Sequence, residues 1–177
     1  MRWIAALWLL LVPGVYARAE LPWPRLDRLS TLGVNQGGEV EVEVVGADLE
    51  GLTGLMFDHP GLSAAPMEGK ERWFRIKAAP ETPPGTYDVR TVGRFGVSSP
   101  RLFAISRGLK DVSDNTKNHS PPEAQVIDLN TAVNGMIDGN AEDIYKLLGV
   151  KGQRIWIDCQ AQRLDSELDG QLSLVDN

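Results

Sequence analysis

From Glu39 to Val44 the residues alternate without a break: Glu39, Glu41 and Glu43 fall on one side, Val40, Val42 and Val44 on the other. A period of two is the mark of a strand with one buried face. A helix would need apolar residues about 3.6 positions apart, and this run has none. One buried face requires a second layer to cover it. The glutamate row raises the question of a site. A metal or a catalytic proton relay needs His, Asp or Asn converging from elsewhere, which a strand alone does not supply. The expectation is therefore a solvated glutamate face and a valine core.

Proline and glycine recur every eight to twelve residues beyond the N-terminal segment, and no long helical pattern appears between them. That spacing fits an all-β sandwich or barrel made of short strands. The patterning predicts strands over 26–31, 39–45, 53–57, 72–77, 85–92 and 101–106. In "PPGTYDVRTVG", Tyr87, Val89 and Thr91 share one face while Asp88 and Arg90 share the other. Further strands are predicted over 132–137, 144–148, 154–161 and 171–175. Between the two groups lies "RGLKDVSDNTKNHSPPEAQ", a polar stretch with a Pro-Pro that reads as a linker or lead-in loop. The second group holds about four strands, few for an independently stable sandwich. The expectation is a fragment of a longer protein.

The N-terminus opens on Met1-Arg2 and an apolar run, Trp3 to Val12, broken by Pro13-Gly14 and followed by Ala17-Arg18-Ala19. A charged start, a short apolar stretch and a small-x-small triplet form a secretory signal peptide, with cleavage expected after Ala19. The run is too short to span a bilayer as a mature helix, which needs about 20 residues. The expected product is secreted or periplasmic, with no membrane insertion after cleavage.

Acidic residues outnumber basic ones by 24 to 18, for a net charge of −6. Removing the leader takes away two arginines and no acid, so the mature chain is more acidic still. That excludes nucleic acid as the expected partner, since its binding rests on basic patches. Cys159 is the sole cysteine, so no intrachain disulfide can form. In "RIWIDCQAQ" it shares a face with Ile155, Ile157 and Ala161, and it is expected to be a small buried apolar residue. His59 and His119 sit in loops without a GxSxG, HExxH or similar context. No catalytic residue is expected.

Two parts of the chain carry family motifs. Gly38, "GADL" at 46–49, "PGTYDV" at 84–89 and "SPRLFAI" at 99–105 together resemble an Ig-like IPT/TIG domain. The second set is Gly135 and Ile137, Asp143 and Tyr145, Lys151-Gly152-Gln153, Ser166, Leu168-Asp169 and "LSLVD" at 172–176. It resembles the N-terminal half of a bacterial pre-peptidase C-terminal domain. Such domains are β-sandwiches flanking the catalytic domains of secreted proteases, typically non-catalytic, and some bind calcium or substrate protein.

In calcium-binding members, an "E-P-N-N/D-x-P-x-x-A" loop and a "G-D-x-D" element supply the oxygen ligands. Here Thr116 and Lys117 replace Glu-Pro, Asn118 is kept, His119 takes the next position, and Ala141 replaces the first Asp while Asp143 is kept. Calcium takes six to eight oxygens, several of them carboxylate. The resemblance therefore implies a degraded calcium site on Asn118 and Asp143, with Asp114, Asp138 and Glu142 as substitutes only if they converge. No other cofactor is expected.

The sequence thus leads to an all-β chain of tandem sandwiches: signal peptide 1–19, Ig-like sandwich 20–106, linker 107–124, and an incomplete pre-peptidase C-terminal-like domain 125–177. The expected function is a secreted, non-catalytic binding or spacer region of a larger exoprotein that meets an extracellular protein or a cell-surface polymer. The competing expectation is an accessory region of a secreted hydrolase, a protease, whose catalytic domain lies outside 1–177.

Overall fold

The structure, a computed structural model, describes residues 21–137 and 141–175. The expected signal peptide, its cleavage site and Asp138 lie outside the described residues.

The chain is all-β. The first nine strands among the described residues are β1 (Arg25–Leu29), β2 (Gly33–Asn35), β3 (Glu39–Ala47), β4 (Gly54–Phe57), β5 (Leu62–Pro66), β6 (Trp73–Ala78), β7 (Gly85–Gly93), β8 (Gly96–Val97) and β9 (Arg101–Ser106). They form two sheets, one ordered β1-β3-β6-β5 and one ordered β2-β9-β7-β4, with β8 paired to the end of β7. Every pairing is antiparallel except β2 with β9, which run parallel.

The two sheets enclose a single core. Val42, Val44, Phe74 and Ile76 reach it from the first sheet, and Val34, Val89, Phe103 and Ile105 from the second. Phe57 meets Phe103 edge-on at 6.2 Å between ring centroids. The period of two dictates this: in β7, Val89 and Thr91 are buried while Asp88 and Arg90 pair outside at 3.3 Å. The β1–β3 pair also needs a glycine, because a Cβ on Gly46 would collide with the Arg25 carbonyl.

Beyond β9 the chain continues through β10 (Lys110–Ser113), a 3-10 turn (Pro121–Glu123), β11 (Gln125–Val126), β12 (Thr131–Asn134), β13 (Tyr145–Lys146) and a second 3-10 turn (Gln162–Leu164). β10 pairs parallel with β12, and β11 parallel with β13. The segment expected as a linker therefore carries β10 and the first turn. This part is tied to the sandwich. The Asp111 carboxylate accepts the Asn35 N–H at 2.7 Å, and Arg107 donates to Gln36 at 2.8 Å. The second turn lies against β9 and buries Leu164.

Two expectations need correction. Residues 154–161 and 171–175 alternate like strands but belong to no ladder among the described residues. Alternation becomes a strand only when a neighbouring strand supplies cross-strand pairs and backbone partners. Cys159, expected in a core, is exposed for the same reason: no second sheet among the described residues covers the row it shares with Ile155 and Ile157. Among the described residues, no helix is long and apolar enough to cross a membrane.

Candidate functional site

The glutamate row of β3 answers to the neighbouring strand. Register sets Glu39 opposite Lys77, Glu41 opposite Arg75 and Glu43 opposite Trp73. Arg75 donates to Glu41 at 2.8 Å, Lys70 donates to the other Glu41 oxygen at 3.4 Å, and Lys70 also sits over the Trp73 ring at 4.9 Å. The Arg75 hydrogen bond holds the Glu41 carboxyl below its ordinary range. These groups are solvated, so the pairs add little stability. The row is a cross-strand charge ladder on the outer face of the sheet, as the solvated reading expects, and it converges on no His or Asn.

Asn118 and Asp143, the two expected ligands, fall in one small cluster around Tyr145. The parallel β11–β13 pair builds it. Ile144 donates its N–H to the Asn118 carbonyl at 2.7 Å, and the Asn118 amide donates to the Ile144 carbonyl at 3.3 Å. The Tyr145 hydroxyl donates to Asp114 at 2.9 Å. Asp114 is fixed in turn by the Thr116 N–H, which its other oxygen accepts at 2.9 Å. Burial, then the Asp114 carboxylate, pushes the Tyr145 phenol above its ordinary range, so it stays protonated. His119 places Nδ1 3.3 Å from Asp143 and 3.2 Å from the Glu142 carbonyl.

Among the described residues, the donors gathered here do not make up a calcium site. Asp114 is taken up by a phenol and a backbone N–H, and Asp143 faces His119. Glu142 takes part here through its carbonyl. The Asn118 side-chain oxygen is fully buried and without a partner among the described residues, but one amide oxygen is far from the six to eight that calcium takes. Nor does any group of three or more His, Cys, Asp or Glu among the described residues have metal-holding geometry. The cluster works as a clasp: an amide, a phenol and a carboxylate lock residues 114–118 onto residues 144–145. The motif comparison singled out Asn118, Asp143 and Asp114. It missed Tyr145 as the centre, which it took for a pattern residue only; no local signal marks it, because Asp114 and Tyr145 lie far apart in the chain, Asp114 just after β10 and Tyr145 in β13, strands that pair with other partners.

His59 has a local role. It accepts the Gly61 N–H at 3.0 Å and packs edge-on against Tyr87 at 5.0 Å, while the Tyr87 hydroxyl donates to the Pro83 carbonyl at 2.7 Å. A shallow cleft of about 290 Å³ lies over Leu21, Trp23, Phe95 and Val97 at the N-terminal end of the sandwich. The larger apolar exposure is at the C-terminal end, where Leu148, Val150, Trp156, Leu172 and Leu174 all stand out of the surface. No family model matches the chain, and no curated protein is significantly similar to it.

Proposed function

We propose that the chain is a non-catalytic spacer and binding region of an exoprotein, meeting an extracellular protein or a cell-surface polymer. The observation that carries the reading is the junction between the sandwich and residues 107–134. An Asp111 carboxylate on the Asn35 N–H and an Arg107–Gln36 bond hold the two parts in one relation. A spacer needs that fixity. The reading is supported further by a strand order, β1-β3-β6-β5 against β2-β9-β7-β4, like that of immunoglobulin-type sandwiches, which serve widely at cell surfaces. The IPT/TIG-like and pre-peptidase C-terminal-like motifs and the signal-peptide pattern point the same way.

The test is rotational diffusion by NMR relaxation. Residues 21–106 and 107–134 are expected to share one correlation time, and Asp111→Ala is expected to separate them. Two independent correlation times in the unaltered chain would remove the spacer reading. Turnover of casein or gelatin by the purified chain would remove the non-catalytic one.

A further inference from the structure

The sandwich keeps its edges short or interrupted. β2 has three residues and β4 four, β5 ends on Pro66, and β1 carries Arg25, Asp27 and Arg28 around an irregular register. These are devices that stop a sheet edge from recruiting another chain. Residues 154–160 have no proline, and their only charges are Arg154 and Asp158, which are of opposite sign. Every position is exposed, and the segment makes no backbone–backbone hydrogen bond among the described residues. Apart from the Cys159 carbonyl, which accepts Arg163 at 3.5 Å, its N–H and C=O groups are open to a partner strand.

The side chains indicate which partner. Ile155 lies over Gly149 and the Cys159 sulfur over Gly170, so this row turns toward the chain's own body. Trp156, on the opposite row, is 89% exposed, while Ile155 and Ile157 are 37% and 51% exposed. "RIWID" is also a chemical palindrome. Paired antiparallel with a second copy about Trp156, it sets Trp156 against Trp156, Ile155 against Ile157, and Arg154 against Asp158, the last two twice over. Aromatic, β-branched and opposite-charge pairs are the favourable cross-strand combinations. Moving the axis to Ile155 sets Arg154 against Trp156, and moving it to Ile157 sets Trp156 against Asp158, so both lose the charge pairs. Asp158 already takes Arg163 and Gln160 of its own chain. Those contacts are exposed, and a carboxylate has room for a further donor.

We propose that two copies of this chain associate by antiparallel pairing of residues 154–158 about a two-fold axis at Trp156. The interface is isologous, so each favourable pair is made twice and the assembly closes at two. This goes beyond the spacer reading and does not depend on it: a chain with a loose junction could still pair here, and a rigid one could fail to.

Sedimentation equilibrium of the purified chain tests it. The unaltered chain is expected to show a reversible monomer–dimer equilibrium. Arg154→Asp, which sets like charges opposite each other at both pairs, is expected to weaken the dimer by about tenfold, and so is Asp158→Arg. The double exchange Arg154→Asp/Asp158→Arg restores opposite charges and is expected to recover the dimer. A second readout fixes the register. Directly opposite Cα atoms in an antiparallel pair lie about 4.5–5.5 Å apart, within disulfide reach. Trp156→Cys in a Cys159→Ser background is therefore expected to cross-link in air. The native Cys159 pair would lie about 20 Å apart along the strands and is expected not to. A monomer at every concentration gives the strip to a different partner and overturns the proposal. So does a dimer indifferent to the single exchanges, or a native chain that cross-links through Cys159.

Discussion

Replacing Tyr145 with phenylalanine tests the clasp at its centre. The hydroxyl donates to the Asp114 carboxylate at 2.9 Å. Hydrogen bonds to charged acceptors contribute about 1.5–3 kcal/mol, and half-buried Asp114 can recover some of that from water, so the loss at pH 8 is about 1.5 kcal/mol. The pH dependence is the sharper part. The folded phenol is raised above its ordinary range by burial and by Asp114. A raised group keeps its full stabilisation below the unfolded-state value, about 10 for tyrosine, and loses it as pH climbs toward the folded-state value. One pH unit above 10 the full linkage is about 1.4 kcal/mol, and solvent screening of a half-buried phenol cuts it to about 0.7. Tyr145→Phe has no such proton, so its deficit is expected to shrink from about 1.5 kcal/mol at pH 8 to about 0.8 at pH 11. Urea unfolding followed by circular dichroism at the two pH values measures it, and lysine titration cancels in the difference. A deficit that is constant or larger at pH 11 would refute the account of the phenol.

Phe103→Ala, at a fully buried position against Phe57, is expected to cost about 3–5 kcal/mol in the same assay. Leu174→Ala, at an exposed position, should stay within about 0.5 kcal/mol. Calorimetric titration with calcium is expected to show no sub-micromolar binding; a tight site abolished by Asp143→Ala would mean the donor set has been misjudged. Material exported to the medium is expected to begin at Glu20 on N-terminal sequencing, whereas a cytoplasmic product that keeps Met1 would remove the signal peptide.

Strands that alternate strongly could be read directly. β3, β6, β7 and β9 carry valine, isoleucine, phenylalanine and tyrosine at every second position, and burial follows that order. β2 and β5 could not. "GVN" is too short to show a period, and "LSAAP" has small side chains with little preference for a pleated surface. β10 escaped notice because Val112 is the one apolar residue in "KDVS"; its pairing is set by β12, which begins well down the chain at Thr131. The opposite failure occurs at 154–161, where the pattern is strong and no ladder forms among the described residues, because a strand is a property of two segments. The clasp was half legible. Family motifs marked Asn118 and Asp143, but local sequence could not reveal that Asp114 spends its oxygens on Tyr145 and Thr116.

The parallel pairing of β2 with β9 has a mechanical consequence. The chain enters β2 at Gly33, opposite Ala104, and leaves β9 at Ser106, opposite Asn35. Tension applied through the two ends of the sandwich therefore pulls these strands past each other lengthwise. The ladder, with the flanking Ala104-to-Leu32 and Gln36-to-Ser106 bonds at 2.7 and 2.8 Å, must yield all together, where an antiparallel pair drawn from one end would open bond by bond. Whatever β1 does under load, β2 and β9 make a shear-loaded lock, and the sandwich resists stretching along its own chain direction.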